Sequence, residues 1–209
     1  MAGMIRVAVI DDHPVASAGV VAALAEAGDI EIVGRAAALD EIKGLVETTS
    51  PDVLLCDVQL GRERALRVPS MLVPPAPSVL FFTAYDYPSF IRSALDGGAA
   101  GYVLKSAPLE ELVAAIHAVA HGGTAWDSRH LRDAHRAPRM PSEREMQVLA
   151  SMAAGRSNAE IGTQLGIEER SVESHLRRLF NRYGVDSRTE LAAFCVRNGW
   201  LDLRGPSAV

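Results

Sequence analysis

Five short hydrophobic runs, at residues 4 to 10, 30 to 34, 53 to 57, 78 to 83 and 100 to 104, alternate with longer stretches in which apolar residues recur three and four apart. Runs of that length suit strands, and the spacing of Val15 to Ala27, Leu39 to Glu47, Pro88 to Leu95 and Leu109 to Ala120 suits helices with one apolar face. A strand-helix unit repeated five times has few packed solutions, because parallel neighbours need a crossover helix of fixed hand. The expected fold is α/β, a five-stranded doubly wound parallel sheet with helices on both faces. The third helical stretch, between Gly61 and Ala76, contains Pro69, Pro74 and Pro75, so a short or irregular helix is expected there.

Polar side chains follow four of these runs. Asp11 and Asp12 come after MIRVAVI, Asp57 after PDVLLC, Thr83 after SVLFF and Lys105 after AGYVL. The carboxyl ends of parallel strands meet at one edge of an open sheet, where such folds place ligands. Three carboxylates, a hydroxyl and an ammonium are therefore expected together. Clustered carboxylates repel unless a hard cation sits among them, and Mg2+ is held by carboxylates, water and phosphate oxygens, so the cluster implies Mg2+ and a phosphoryl group. Of the 21 basic residues only Lys43 and Lys105 are lysines, and a compact point charge at a strand end fits a phosphate site. Cys56 and Cys195 lie in apolar stretches without metal or redox spacing and read as small buried hydrophobes. His117 and His121, four apart on a helix, have no third ligand in sequence and read as a solvated face.

After His121 the segment GGTAWDSRHLRDAHRAPRMP is polar and broken by Gly and Pro, and it reads as a linker over residues 122–141. A second, all-α domain of four helices is expected over 142–209. Ser142 with Glu145 fits a capping box. The helices expected are Ser142 to Ala154, Asn158 to Leu165, Glu168 to Tyr183 and Arg188 to Asn198, with Gly155, Gly166, Gly184 and Gly199 at their ends. Short helix, Gly turn and longer helix is the layout of a helix-turn-helix. On the longer helix Val172, Leu176, Leu179, Phe180 and Tyr183 form an apolar stripe, leaving Glu173, Ser174, Arg177, Arg178 and Asn181 outward. Ser, Arg and Asn can reach base edges and phosphates; a plain solvated helix face is the alternative.

The first 121 residues resemble the receiver domain of bacterial two-component response regulators, with VIDDHP at 9 to 14, LLCD ending at Asp57, FFTA around Thr83 and GYVLKS around Lys105. The region from Ser142 onward resembles the LuxR-type helix-turn-helix through SEREMQVLASMAAGRSNAEIGTQLGI and SVESHLRRLFNRYGVDSRTEL, and together the two make the NarL/FixJ class. The resemblance implies a flavodoxin-like receiver in which Asp57 accepts a phosphoryl group from a sensor histidine kinase. Asp11, Asp12, Asp57 and the backbone carbonyl of Gln59 would hold Mg2+, and Lys105 would neutralise phosphoryl oxygens. Thr83 would bond the phosphoryl group and Tyr102 would turn inward with it, reshaping the face of the fourth helix and fifth strand. It further implies homodimerisation on phosphorylation and binding to promoter DNA. Glu173, Ser174 and Arg177 would lie in the major groove, with Arg178 and Arg182 near phosphates.

Three departures from the family pattern stand out. The loop after Asp57, VQLGRERA, lacks the usual Pro, and the longer helix carries Glu173 where the family often has Lys. Glu168 also replaces the usual Ser cap. From Ser142 onward nine Arg face nine Asp plus Glu, so the region is formally neutral, and modest, dimer-dependent, salt-sensitive DNA binding is expected. A phosphohydrolase on the same topology would want a second Asp two residues after the nucleophile, and Gln59 stands there, so an enzyme is not expected. A regulator that works without phosphorylation, or through protein contacts in place of DNA, is the remaining alternative. The apolar runs fall far short of a membrane span and the amino terminus carries no leader pattern, so a cytoplasmic protein is expected.

Overall fold

Alternation of side chains along buried strands places two apolar faces back to back, and the helices between strands cover both. The computed structural model describes residues 3–61 and 63–201, which divide into a compact unit ending at Ala137 and a second beginning at Pro138. The first unit contains strands β1 (Ile5–Ile10), β2 (Ile30–Ala36), β3 (Val53–Cys56), β4 (Gln59–Leu60), β5 (Glu63–Arg64), β6 (Ser78–Thr83) and β7 (Gly101–Leu104). Its helices are α1 (Pro14–Ala25), α2 (Ile42–Thr49), α3 (Val68–Met71), α4 (Pro88–Asp96), α5 (Leu109–Ala120) and α6 (Ser128–Arg136). Five strands form one parallel sheet in the order β2-β1-β3-β6-β7. The strand order reverses direction between β1 and β3, so the crevice at their carboxyl ends is where the topology opens a ligand site.

Val7, Val9, Val53, Leu55, Leu80, Phe82 and Val103 form one face of the sheet and pack with Leu24 of α1 and Leu112, Ile116 and Val119 of α5. The alternate residues, among them Ile10, Leu54, Cys56, Phe81 and Tyr102, are buried toward the other face, which α2, α3 and α4 cover. Burying a side chain of this size contributes roughly 1.5–3 kcal/mol, so the paired faces supply the main drive to fold. The third helix is four residues long, as the prolines imply.

Two elements depart from expectation. The loop after Asp57 closes into a small antiparallel hairpin, β4 with β5, in which the Gln59 side-chain amide donates to the carbonyls of Gly61 and Glu63. The stretch read as a linker contains α6, started by Asp127, whose carboxylate accepts from the backbone N–H of Arg129 and of His130. Its apolar positions are few, and the polar composition concealed a helix that packs on α4 within the first unit.

The second unit holds α7 (Glu143–Ala153), α8 (Asn158–Leu165), α9 (Glu169–Tyr183) and α10 (Arg188–Arg197). Ser142 and Ser157 start α7 and α8 with full capping boxes, each serine hydroxyl accepting from the glutamate N–H three residues on. The turn into α9 is tight at Gly162, where a Cβ would meet the Ile167 carbonyl oxygen at 2.7 Å. Val148, Leu149, Met152, Ile161, Val172, Leu176, Leu179 and Leu191 are buried together, and Tyr183, Phe194 and Trp200 pack as an aromatic cluster. Among the described residues no helix is long and apolar enough to cross a membrane.

Candidate functional site

Each charged residue at the sheet edge sits where its strand ends, and backbone hydrogen bonds fix it there. The Asp57 N–H donates to Ile10 O at 2.8 Å, Asp11 N–H to Ala36 O at 3.1 Å and Lys105 N–H to Thr83 O at 2.7 Å. The side chains converge. Lys105 Nζ donates to Asp11 Oδ2 at 2.7 Å and to Asp57 Oδ2 at 2.6 Å. Thr83, fully buried, donates its hydroxyl to Asp57 Oδ1 at 2.7 Å. Burial alone would lower the Lys105 pKa, but its bonds to Asp11 and Asp57 outweigh that and raise it, so the ammonium is charged throughout the neutral range. The Cys56 thiol next door is pushed up by burial, and by Asp57 and Asp11, which makes it an inert packing group.

Asp12 points to the same edge. Its Oδ2 accepts from the Gly61 N–H at 2.7 Å, tying the hairpin to the acidic pair. Its Oδ1 is buried and accepts no hydrogen bond, although His13 Nδ1 lies 2.8 Å away. A carboxylate oxygen without a hydrogen bond, close to the carboxylate of Asp11, is an environment a hard cation satisfies. Among the described residues the one group of three or more potential metal ligands is Asp11, Asp12 and His13, whose ligand atoms lie within 4.8 Å of one another. His13 was not singled out from the sequence, though its place directly after the two acids was a signal. Gln59 follows closely, its N–H 3.3 Å from Asp57 Oδ1. Tyr102 is buried, and its hydroxyl donates to Tyr85 O at 2.6 Å. His117 Nε2 lies 3.4 Å from the Asp29 carboxylate and His121 Nδ1 2.7 Å from the His117 carbonyl.

On α9 the apolar stripe faces the core and Arg170, Glu173, Ser174, Arg177, Arg178 and Asn181 are exposed. Among the described residues neither Glu173 nor Arg177 has a hydrogen-bond or ion-pair partner, while Arg178 Nε donates to its own helix at Ser174 O. Arg182 is engaged otherwise. Its two terminal nitrogens donate to the two oxygens of Glu145, each at 2.9 Å, in a bidentate pair. Glu145 is the buried member of the α7 capping box, so Arg182 braces α9 against the start of α7. Burial works to raise the Glu145 pKa, but Arg182 and the Ser142 N–H together hold it below the usual carboxylate range.

Comparison with known proteins agrees with both halves. Residues 7–117 match the response regulator receiver domain family and residues 142–195 the bacterial regulatory proteins of the luxR family. The chain is 36% identical to the probable transcriptional regulatory protein NarL of Mycobacterium tuberculosis (strain ATCC 25618 / H37Rv), covering 95% of this chain and 96% of that one. It is 31% identical to the crystal structure of response regulator ChrA of a heme-sensing two-component system, with a TM-score of 0.53 over 96% of this chain and all of the other. A structure of the response regulator RcsB bound to DNA shares the fold, at 20% identity and a TM-score of 0.62 over 94% of this chain and 99% of that one. A parallel receiver sheet whose charged edge is intact, followed by a capped helix-turn-helix unit, thus has whole-length relatives that are transcriptional regulators, and the chain belongs to the response regulators that join a receiver domain to a LuxR-type DNA-binding domain.

Proposed function

We propose that Asp57 accepts a phosphoryl group from a sensor histidine kinase and that this modification controls binding of the second unit to promoter DNA. The observation that carries the reading is Lys105 Nζ spanning Asp11 and Asp57 while Thr83 holds the other Asp57 oxygen. A carboxylate oxygen of Asp57 forms a bond to phosphorus as the bond from phosphorus to the donor imidazole breaks, and the imidazole leaves with its electron pair. Lys105 neutralises charge on the phosphoryl oxygens, and the Thr83 hydroxyl becomes free to donate to one of them. Mg2+ suits Asp11, Asp12, Asp57 and the Gln59 carbonyl, and when bound it supplies charge neutralisation at the phosphoryl oxygens. Gln59 offers no carboxylate to activate water, which supports stoichiometric acceptance over turnover.

The second unit is read as the output. Glu173, Ser174, Arg177 and Arg178 form its DNA-facing set, and Arg182, engaged with Glu145, acts as a brace of that helix. Two copies reading half-sites about one helical turn apart gain affinity that one small module lacks, so the active form is a homodimer working in the cytoplasm. The test is intact mass after incubation with Mg2+ and acetyl phosphate, for the parent and for Asp57→Ala. One adduct on the parent and none on the variant is expected; an adduct on both, or on neither, would sink the assignment.

A further inference from the structure

The last segment of the first unit is built onto the face that the proposed switch would reshape. Gly101, at the start of β7, has no side chain, and a Cβ there would lie 2.6 Å from Ala125 O and 2.8 Å from Ala125 Cβ. That gap lets the chain after α5 run beside the edge strand. The Ala125 N–H donates to Ala100 O at 2.9 Å and its carbonyl accepts from the Tyr102 N–H at 3.1 Å. α6 then crosses α4. Ala134 is fully buried, and Arg92 Nη1 of α4 donates to Ala137 O at 2.5 Å.

His130 of α6 is the contact with the switch. Its side chain is only 15% exposed, its Nε2 lies 3.3 Å from the Asp86 carboxylate, and its ring meets the Tyr102 ring edge-on at 6.4 Å and 80°. Tyr102 is inward, 2% exposed, with its hydroxyl on Tyr85 O, and Thr83 is inward on Asp57. The docked position of α6 therefore coincides with the arrangement of Thr83 and Tyr102 that phosphorylation would favour.

We infer that α6 is the resident occupant of the face formed by α4 and β7, that it docks on the inward form of Tyr102, and that phosphorylation tightens this docking. The second half rests on the reading of Asp57 as phosphoacceptor. Two contacts that favour the same conformation strengthen each other: a phosphoryl group acts through Thr83, and α6 acts through His130 against Tyr102. Occupation of the face by α6 also denies it to a second copy, so a homodimer uses another surface.

The experiment is amide hydrogen exchange, read by mass spectrometry over residues 124–137 of the full chain, with Mg2+ and with or without beryllofluoride as phosphoryl mimic. Parallel samples with acetyl phosphate report adduct formation by intact mass. Exchange over α6 is expected to slow on adding the mimic by about fivefold or more, the lower end of typical site-to-site couplings. Ala134→Arg, and the milder His130→Ala, should speed exchange over α6 without the mimic while leaving β1 and β3 protected, and should weaken beryllofluoride binding by the same factor by which the mimic's effect falls. Faster or unchanged exchange over α6 in a protein that does form the adduct overturns the coupling. Absence of any adduct overturns the Asp57 reading and the coupling with it. Unchanged exchange in both variants overturns the docking itself.

Discussion

At the scale of single residues, Lys105 decides how the acidic edge behaves. Replacing it with Ala leaves Asp11 and Asp57 facing each other with no cation between them, since both now bond the same ammonium. Loss of one preorganised donor at a reacting group costs on the order of 10²-fold in rate, and adduct formation followed by mass should slow by that much in Lys105→Ala. A guanidinium is planar and longer, so Lys105→Arg should recover only part of it. Glu145 gives a prediction in pH. Its folded pKa is depressed by Arg182 and the Ser142 N–H against the opposing effect of burial, so its contribution is complete above the unfolded value of about 4.3 and is lost as pH falls through the folded value. Thermal unfolding of the second unit should therefore lose stability below about pH 4.3 more steeply in the parent than in Glu145→Gln. Arg182→Ala should cost about 1 kcal/mol, since the guanidinium is partly exposed and the pair is screened. The residues at the sheet edge were legible because each directly follows a hydrophobic run. The partnership of Arg182 with Glu145 was not, because a pairing across 37 positions leaves no local trace and only the cap half of the Glu145 role can be read from Ser142.

Elements show the same division. Helices with a long apolar stripe, such as α5 and α9, were legible from spacing alone, and their observed ranges, Leu109–Ala120 and Glu169–Tyr183, follow it closely. The β4 and β5 hairpin was not, since two residues per strand are too few to show alternation, and α6 was hidden because Leu131 and Ala134 are nearly its whole apolar face. The weak cap of α9 is visible at both levels. Glu168 occupies the cap position in extended conformation without a side-chain bond to the backbone, whereas Ser142 and Ser157 do cap their helices. Glu168→Ser should stabilise the second unit by about 0.5–1 kcal/mol, read as a rise in the denaturant midpoint at constant slope. An unchanged midpoint would mean the start of α9 has already found other partners for its backbone donors.

For the whole molecule, the order of a sheet unit and a helical unit was legible from the change of hydrophobic period, while the place where the first unit ends was not, because it depends on α6 packing back on α4. A chain ending at Ala137 should accordingly unfold at a higher denaturant concentration than one ending at Gly123, which strips the cover from Tyr102 and α4; equal midpoints would show α6 adds nothing to the first unit. DNA binding should weaken linearly in log salt. If Arg178 of two copies neutralises about two phosphates, the slope is roughly −1.8, and Glu173→Lys should steepen it by about one per copy. The way α9 is mounted has a further consequence for descent. Its inner stripe and the Arg182 brace fix the helix, while Glu173 and Arg177 are exposed and, among the described residues, make no hydrogen bond or ion pair. Duplicated genes built on this scaffold can drift at those exposed positions with almost no selection from folding to hold them back.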